Sequence, residues 1–137
     1  MDLVRVSFSI ERTLQGRLER LAAESHYSNR SEFIRDMIRD RIVEREWESD
    51  REALGTLTIL YDHRQRGLSD RITDLQHHQR SSILATTHVH LDEHLCAEMI
   101  MAQGKASRIR EFADSIRQQK GVLHAAVAMS STGKKLR

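Results

Sequence analysis

Val4-Arg5-Val6-Ser7-Phe8-Ser9-Ile10 places an apolar side chain at every second position, with Arg5, Ser7 and Ser9 between them. Successive strand side chains point to opposite faces, so this period marks a half-buried β-strand that displays its polar face. From Glu11 the period changes. Leu14, Leu18, Leu21 and Ala22 recur at three- and four-residue spacings and line one face of a helix. His26-Tyr27-Ser28 breaks that helix, and Asn29-Arg30-Ser31-Glu32 reads as an N-cap with a Glu three residues on. The next helix carries Phe33, Ile34, Met37, Ile38 and Ile42 as its apolar stripe.

A single short strand has nobody to satisfy its ladder groups, and a second copy of the chain is the obvious source of a partner. Strand, helix, helix is the order in which strands from two subunits pair into an antiparallel ribbon that enters the DNA major groove. On that ribbon Arg5 can bond guanine bidentately, while Ser7 and Ser9 can donate or accept at several base edges. The helix start at Asn29, Arg30 and Ser31 offers N–H groups to a backbone phosphate. Charge gives this reading little help: the net charge is +2, and residues 1 to 50 hold nine Arg against eleven Asp and Glu. The DNA expectation therefore rests on geometry.

The chain has 137 residues, 39% hydrophobic and 31% charged, with only 4% aromatic, so its cores must be mostly aliphatic. It contains no apolar run of the ~20 residues needed to span a bilayer and no start resembling a signal peptide, which predicts a cytoplasmic protein with no membrane partner. The charged stretch from Trp47 to Ala53 suggests a division into domains 1–50 and 51–137. In the second, Thr56 to Tyr61 reads as a strand, Leu68 to Leu75 as a helix and Ser82 to Leu91 as a strand. Glu93 to Gln103 and Ser107 to Gln119 read as helices and Val122 to Met129 as a last strand. The order βαβ(α)αβ predicts an α+β domain of ferredoxin-like kind, with helices on one face of a small sheet.

Six of the eight His fall between His63 and His94. His88 and His90 are two apart on a predicted strand, so both rings leave the same face and can reach one ion. Cys96, the only cysteine, follows at the expected start of the next helix, where the chain turns back. Two imidazoles and a thiolate suit a borderline metal, and a further nitrogen from His77 or His78 completes either a tetrahedral zinc site or a square-planar nickel or copper site. Three ligands with an open position also describe a hydrolytic zinc centre, but no positioned general base accompanies them. A structural-zinc protein and a metal-free, antitoxin-like DNA-binding module stand as rivals to a metal sensor.

Arg5-Val-Ser-Phe-Ser-Ile10, Tyr27-Ser-Asn-Arg-Ser-Glu-Phe-Ile-Arg-Asp36, Gln76-His-His78 and Thr87-His-Val-His-Leu91 with Cys96 resemble the NikR family of nickel-dependent repressors. The resemblance covers nearly the whole chain. It implies a ribbon-helix-helix DNA-binding segment and an ACT-like regulatory domain in a homotetramer, a dimer of dimers, that binds a palindromic double-stranded operator. It also implies one Ni(II) per subunit as co-repressor of metal-uptake genes, held by His88, His90 and Cys96 with His77 of a neighbouring subunit. A regulator responding to Zn, Cu or Co is the alternative. A second cation such as K+ is implied at Glu32 and Asp36, with carbonyls near Arg117, Gln119 and Val122. Gln79 and Arg80 stand where some members continue a His run, which implies fewer peripheral nickel sites.

Overall fold

The computed structural model describes residues 2–137, which divide into two compact units, the first ending at Asp40 and the second Arg41–Arg137. In the first, residues 2–10 adopt no regular secondary structure within one chain. The strand expected from Val4 to Ile10 is not formed here, because a strand exists only against a partner and a single chain offers none. Val4, Val6 and Phe8 stand 83%, 74% and 62% exposed.

Helix α1, Arg12–Glu24, ends where His26 takes a left-handed φ of 63°. The His26 N–H donates to the Ala23 carbonyl and the Tyr27 N–H to Ala22, the paired bonds of a Schellman motif. Helix α2, Arg30–Glu48, starts as the sequence suggests: the Asn29 side-chain oxygen accepts the Ser31 N–H at 2.8 Å and the Glu32 N–H at 3.4 Å. Phe8, Ile10, Leu14, Leu18, Leu21, Ile34 and Met37, with Arg17, line an open apolar groove of about 280 Å³ within this unit. Among its described residues the buried hydrophobic ones are Ala22 and Phe33, so the unit leaves most of its apolar stripe in solvent.

The second unit contains strands β1 (Glu52–Asp62), β2 (Ile83–His90), β3 (Leu95–Lys105) and β4 (Val122–Ser130), with helices α3 (Leu68–His78) and α4 (Ala106–Arg117). The sheet is antiparallel throughout, in the order β2-β3-β1-β4. Inward residues of β1 (Leu57, Ile59, Tyr61) and β3 (Ile100, Ala102) meet Leu68 and Ile72 of α3 and Ile109, Phe112 and Ile116 of α4 in one core. The last turns of α2 belong here too. Trp47 is buried, its indole N–H donates to the Ser130 carbonyl at 2.9 Å, and its ring lies over Gly55, where a Cβ would come within 3.1 Å of it. Asp50 accepts the Ser107 N–H at 2.7 Å and so caps the start of α4.

The predicted ferredoxin-like α+β class is the observed one, with one correction. The segment Glu93–Gln103, expected to be helical, is mostly strand β3, whose every residue pairs with β1 from Leu95↔Asp62 to Lys105↔Glu52. Ala97, Glu98, Met99, Met101 and Gln103 are good helix formers, but the central place of β3 between two strands overrides that preference. The order is therefore βαββαβ.

Candidate metal centre

The centre follows from strand register. In the β2–β3 pair His88 stands opposite Glu98 and His90 opposite Cys96, and β1 extends the second row by setting Tyr61 against Cys96. All five side chains leave the face of the sheet that packs against the helices. Cys96 is thus the cross-strand neighbour of His90, not the first residue of a helix. The donor atoms of His88, His90 and Cys96 lie within 4.8 Å of one another. Cys96 Sγ is 3.3 Å from His90 Nδ1, and the two imidazole centroids are 5.0 Å apart. Cys96 is fully buried while both histidines are exposed, so the thiol forms the floor and the rings form a rim open to solvent.

This donor set fits a borderline transition metal. Bonds of about 2.0 to 2.1 Å to nitrogen and 2.3 Å to sulfur set opposite ligands roughly 4.3 Å apart, so the present cluster needs to contract by only about half an ångström. Burial, then the negative charges of Glu98, Asp92 and Asp62, push the Cys96 thiol above its ordinary pKa. The same three carboxylates that retain a proton there favour a divalent cation in its place.

Several supporting groups were not anticipated from the sequence. Tyr61 Oη lies 3.3 Å from His88 Nδ1, and Glu98 Oε1 lies 3.7 Å from the same nitrogen. Gln76 donates to Glu98 at 3.3 Å and accepts from the Thr86 hydroxyl at 2.9 Å. Burial pushes the Tyr61 phenol up to about 12, so it stays protonated at neutral pH, and burial also raises the Glu98 carboxyl against the opposing pull of His88 and Gln76. The available signal was Cys96-Ala97-Glu98: on a strand, residues two apart share a face.

His77 does not join this cluster. It is exposed in the last turn of α3 and lines, with Thr73, Gln76, Arg80, Ile83 and Glu98, an open cleft of about 250 Å³. His78 instead contacts the Asp74 carbonyl through Nδ1 at 2.7 Å. Among the residues expected to meet DNA, Arg5, Ser7, Ser9, Asn29 and Ser31 are exposed and Arg30 is ion-paired with Glu19. Glu32 pairs with Arg35 and Arg39, and Asp36 with Arg39 at 2.7 Å and with the Tyr27 hydroxyl. A cation at those two carboxylates has to compete with their arginines. The Gln119 carbonyl already accepts the Val122 N–H at 3.1 Å, and Arg117, Gln119 and Val122 lie in the second unit.

The family described as the NikR C terminal nickel binding domain matches residues 54–130, and the ribbon-helix-helix, copG family matches residues 4–45. A Pyrococcus abyssi protein named "Putative nickel-responsive regulator" is 47% identical over 137 residues, covering 99% of each chain. The chain belongs to the NikR family. A relative of the same name from Thermococcus kodakarensis is 43% identical, again over 99% of both chains. NikR proteins are transcriptional regulators and not enzymes, which removes the hydrolytic zinc centre from consideration. Among solved structures, the uncharacterized protein TM1266 from Thermotoga maritima aligns with a TM-score of 0.53 at 15% identity, over 58% of this NikR chain and 98% of its own; that likeness concerns the fold alone. An ACT domain from the GTP pyrophosphokinase of Chlorobium tepidum aligns at 0.49 and 14% identity, over 56% and 99%.

Proposed function

We propose that the protein is a nickel-dependent repressor in which Ni(II), one per subunit, is co-repressor for binding a palindromic DNA operator that controls metal uptake. The observation that carries this reading is the convergence of His88, His90 and Cys96 within 4.8 Å in a chain of the NikR family. Nickel, when bound, supplies a strong preference for four coplanar donors. The chain's own cluster offers three, and His77 of a neighbouring subunit is the fourth. That assignment accounts for an exposed His77 that stands apart from its own chain's cluster.

The first domain, residues 1–50, binds DNA and the second, 51–137, binds metal and assembles the tetramer. Residues 4–10 pair with the same segment of a second chain, which also covers the groove between Phe8 and Met37 and removes the exposed apolar face from water. Arg5, Ser7 and Ser9 then project into the major groove, and the α2 start from Asn29 to Ser31 meets a phosphate. The outer sheet face, with Val89 and Met99 about half exposed, suits burial between dimers. A second cation such as K+ binds Glu32 and Asp36 once Arg35 and Arg39 turn to other partners. The protein works in the cytoplasm, where its DNA is. No described helix is long and apolar enough to cross a membrane.

Mixing two inactive variants tests the shared site. Subunits with His77→Ala keep three donors and subunits with Cys96→Ala keep His77, so mixed tetramers regain complete sites. The expected result is recovery of a diamagnetic, square-planar nickel spectrum with a thiolate charge-transfer band in the mixture and in neither variant alone. No recovery contradicts the shared ligand, and a wild type that holds tetrahedral zinc as its one tight metal supports a structural-zinc protein instead.

A further inference from the structure

The turn between β2 and β3 has a metal donor at each end, His90 before it and Cys96 after it. Its own bonds hold it locally: the Asp92 carboxylate accepts the His94 and Leu95 N–H groups, each at 2.7 Å, and the Leu91 N–H donates to the Leu95 carbonyl at 2.9 Å. His63, directly after β1, grips the same turn twice. Its backbone N–H donates to the His94 carbonyl at 2.9 Å, and its ring Nε2 is hydrogen-bonded to the Glu93 carbonyl. A carbonyl oxygen only accepts, so Nε2 carries the proton, and His63 is not among the residues whose donor atoms converge within 4.8 Å of one another. The same ring stands edge-on to His90, with centroids 6.1 Å apart and planes at 89°.

We propose that His63 is a positioning residue for the metal centre: by clamping the β2–β3 turn to the end of β1 and abutting the His90 ring, it fixes His90 against Cys96 without binding the metal itself. The proposal rests on the reading of His88, His90 and Cys96 as metal donors. Cross-strand partners diverge or converge according to the turn that joins them, so a turn held at two of its carbonyls, those of Glu93 and His94, keeps the two donors near bonding separation before metal arrives. Pre-set geometry of this kind slows loss of the ion, because leaving no longer relaxes a strained turn.

The test compares full-length wild type with His63→Ala, His63→Gln and His90→Ala. Gln places an amide N–H at nearly the reach of the imidazole Nε2–H, so it can keep the bond to Glu93. Amide exchange on the metal-free protein and nickel dissociation into excess chelator are the two readouts. In His63→Ala the His94 and Leu95 amides exchange faster, and nickel leaves about tenfold faster with the thiolate-to-nickel band in its wild-type position, whereas His63→Gln stays within about twofold of wild type on both. Wild-type exchange and dissociation in His63→Ala overturn the proposal. So does a Gln variant as impaired as the Ala variant, and so does a shifted band, which makes His63 a ligand. If wild type and His90→Ala hold nickel equally well, the metal reading fails and the positioning role with it; failure confined to the His63 variants leaves the metal reading standing.

Discussion

Cys96→Ala is expected to weaken nickel binding by about 10² to 10³-fold, since the roughly 10 to 16 kcal/mol of four-donor zinc sites spreads to about 2.5 to 4 kcal/mol per donor. The effect is separable from folding. Cys96 is fully buried, but exchanging a thiol for hydrogen removes one atom from the core and costs about 1 kcal/mol, so the metal-free variant melts slightly lower and cooperatively. Competition against a chelator of known affinity measures the loss. The pH dependence follows from the same thiol. Its pKa is raised by burial and by Glu98, Asp92 and Asp62, so at neutral pH the metal-free protein carries the proton that nickel must displace. Displacing that proton makes the thiol's contribution to affinity fall by about tenfold for each unit that pH drops below the thiol pKa. In Cys96→Ala that proton is absent, and this part of the slope disappears. An Ala variant that keeps wild-type affinity removes Cys96 from the site.

Arg5→Ala is expected to weaken operator binding by about 1 to 3 kcal/mol for each guanine deprived of its arginine, and a ribbon made from two chains carries two such arginines. The combined loss of about 2 to 6 kcal/mol corresponds to about 30-fold to 10⁴-fold, while binding to unrelated duplex falls far less. Arg5 is exposed and belongs to a segment without regular structure in a single chain, so its removal leaves the fold and the metal centre untouched. Equilibrium binding to operator and to random duplex at the same salt makes the comparison, because phosphate contacts alone shift with ionic strength. Equal losses on both duplexes assign Arg5 to the phosphates; no loss on either contradicts a reading role.

Residues with a short-range signature were legible in the sequence. Asn29 acts as the cap its spacing with Glu32 implied, and His88 and His90 share a face because strand geometry obliges them to. What escaped was set by pairing across the sheet. Helix-favouring residues disguised β3, and with β3 misread, Glu98 had no reason to stand opposite His88 nor Tyr61 opposite Cys96. His63 reaches Glu93 across thirty positions, a contact that no local pattern encodes. The first strand shows the converse: its alternation is plain from Val4 to Ile10, yet one chain forms no strand there, because the information specifies half of a two-chain object.

Repressor action requires that nickel bind the DNA-competent arrangement more tightly than the alternative, and typical effectors supply about 1 to 3 kcal/mol of such coupling, or about 5- to 150-fold in affinity. The most direct measurement is anisotropy of a fluorescent operator duplex, first selected from a random-sequence pool by the nickel-loaded protein, titrated with protein at fixed salt and increasing nickel. The account predicts that affinity rises at least about fivefold, saturates at one nickel per subunit and stays flat in Cys96→Ala. Equal affinity with and without nickel, or an undiminished nickel response in Cys96→Ala, contradicts it.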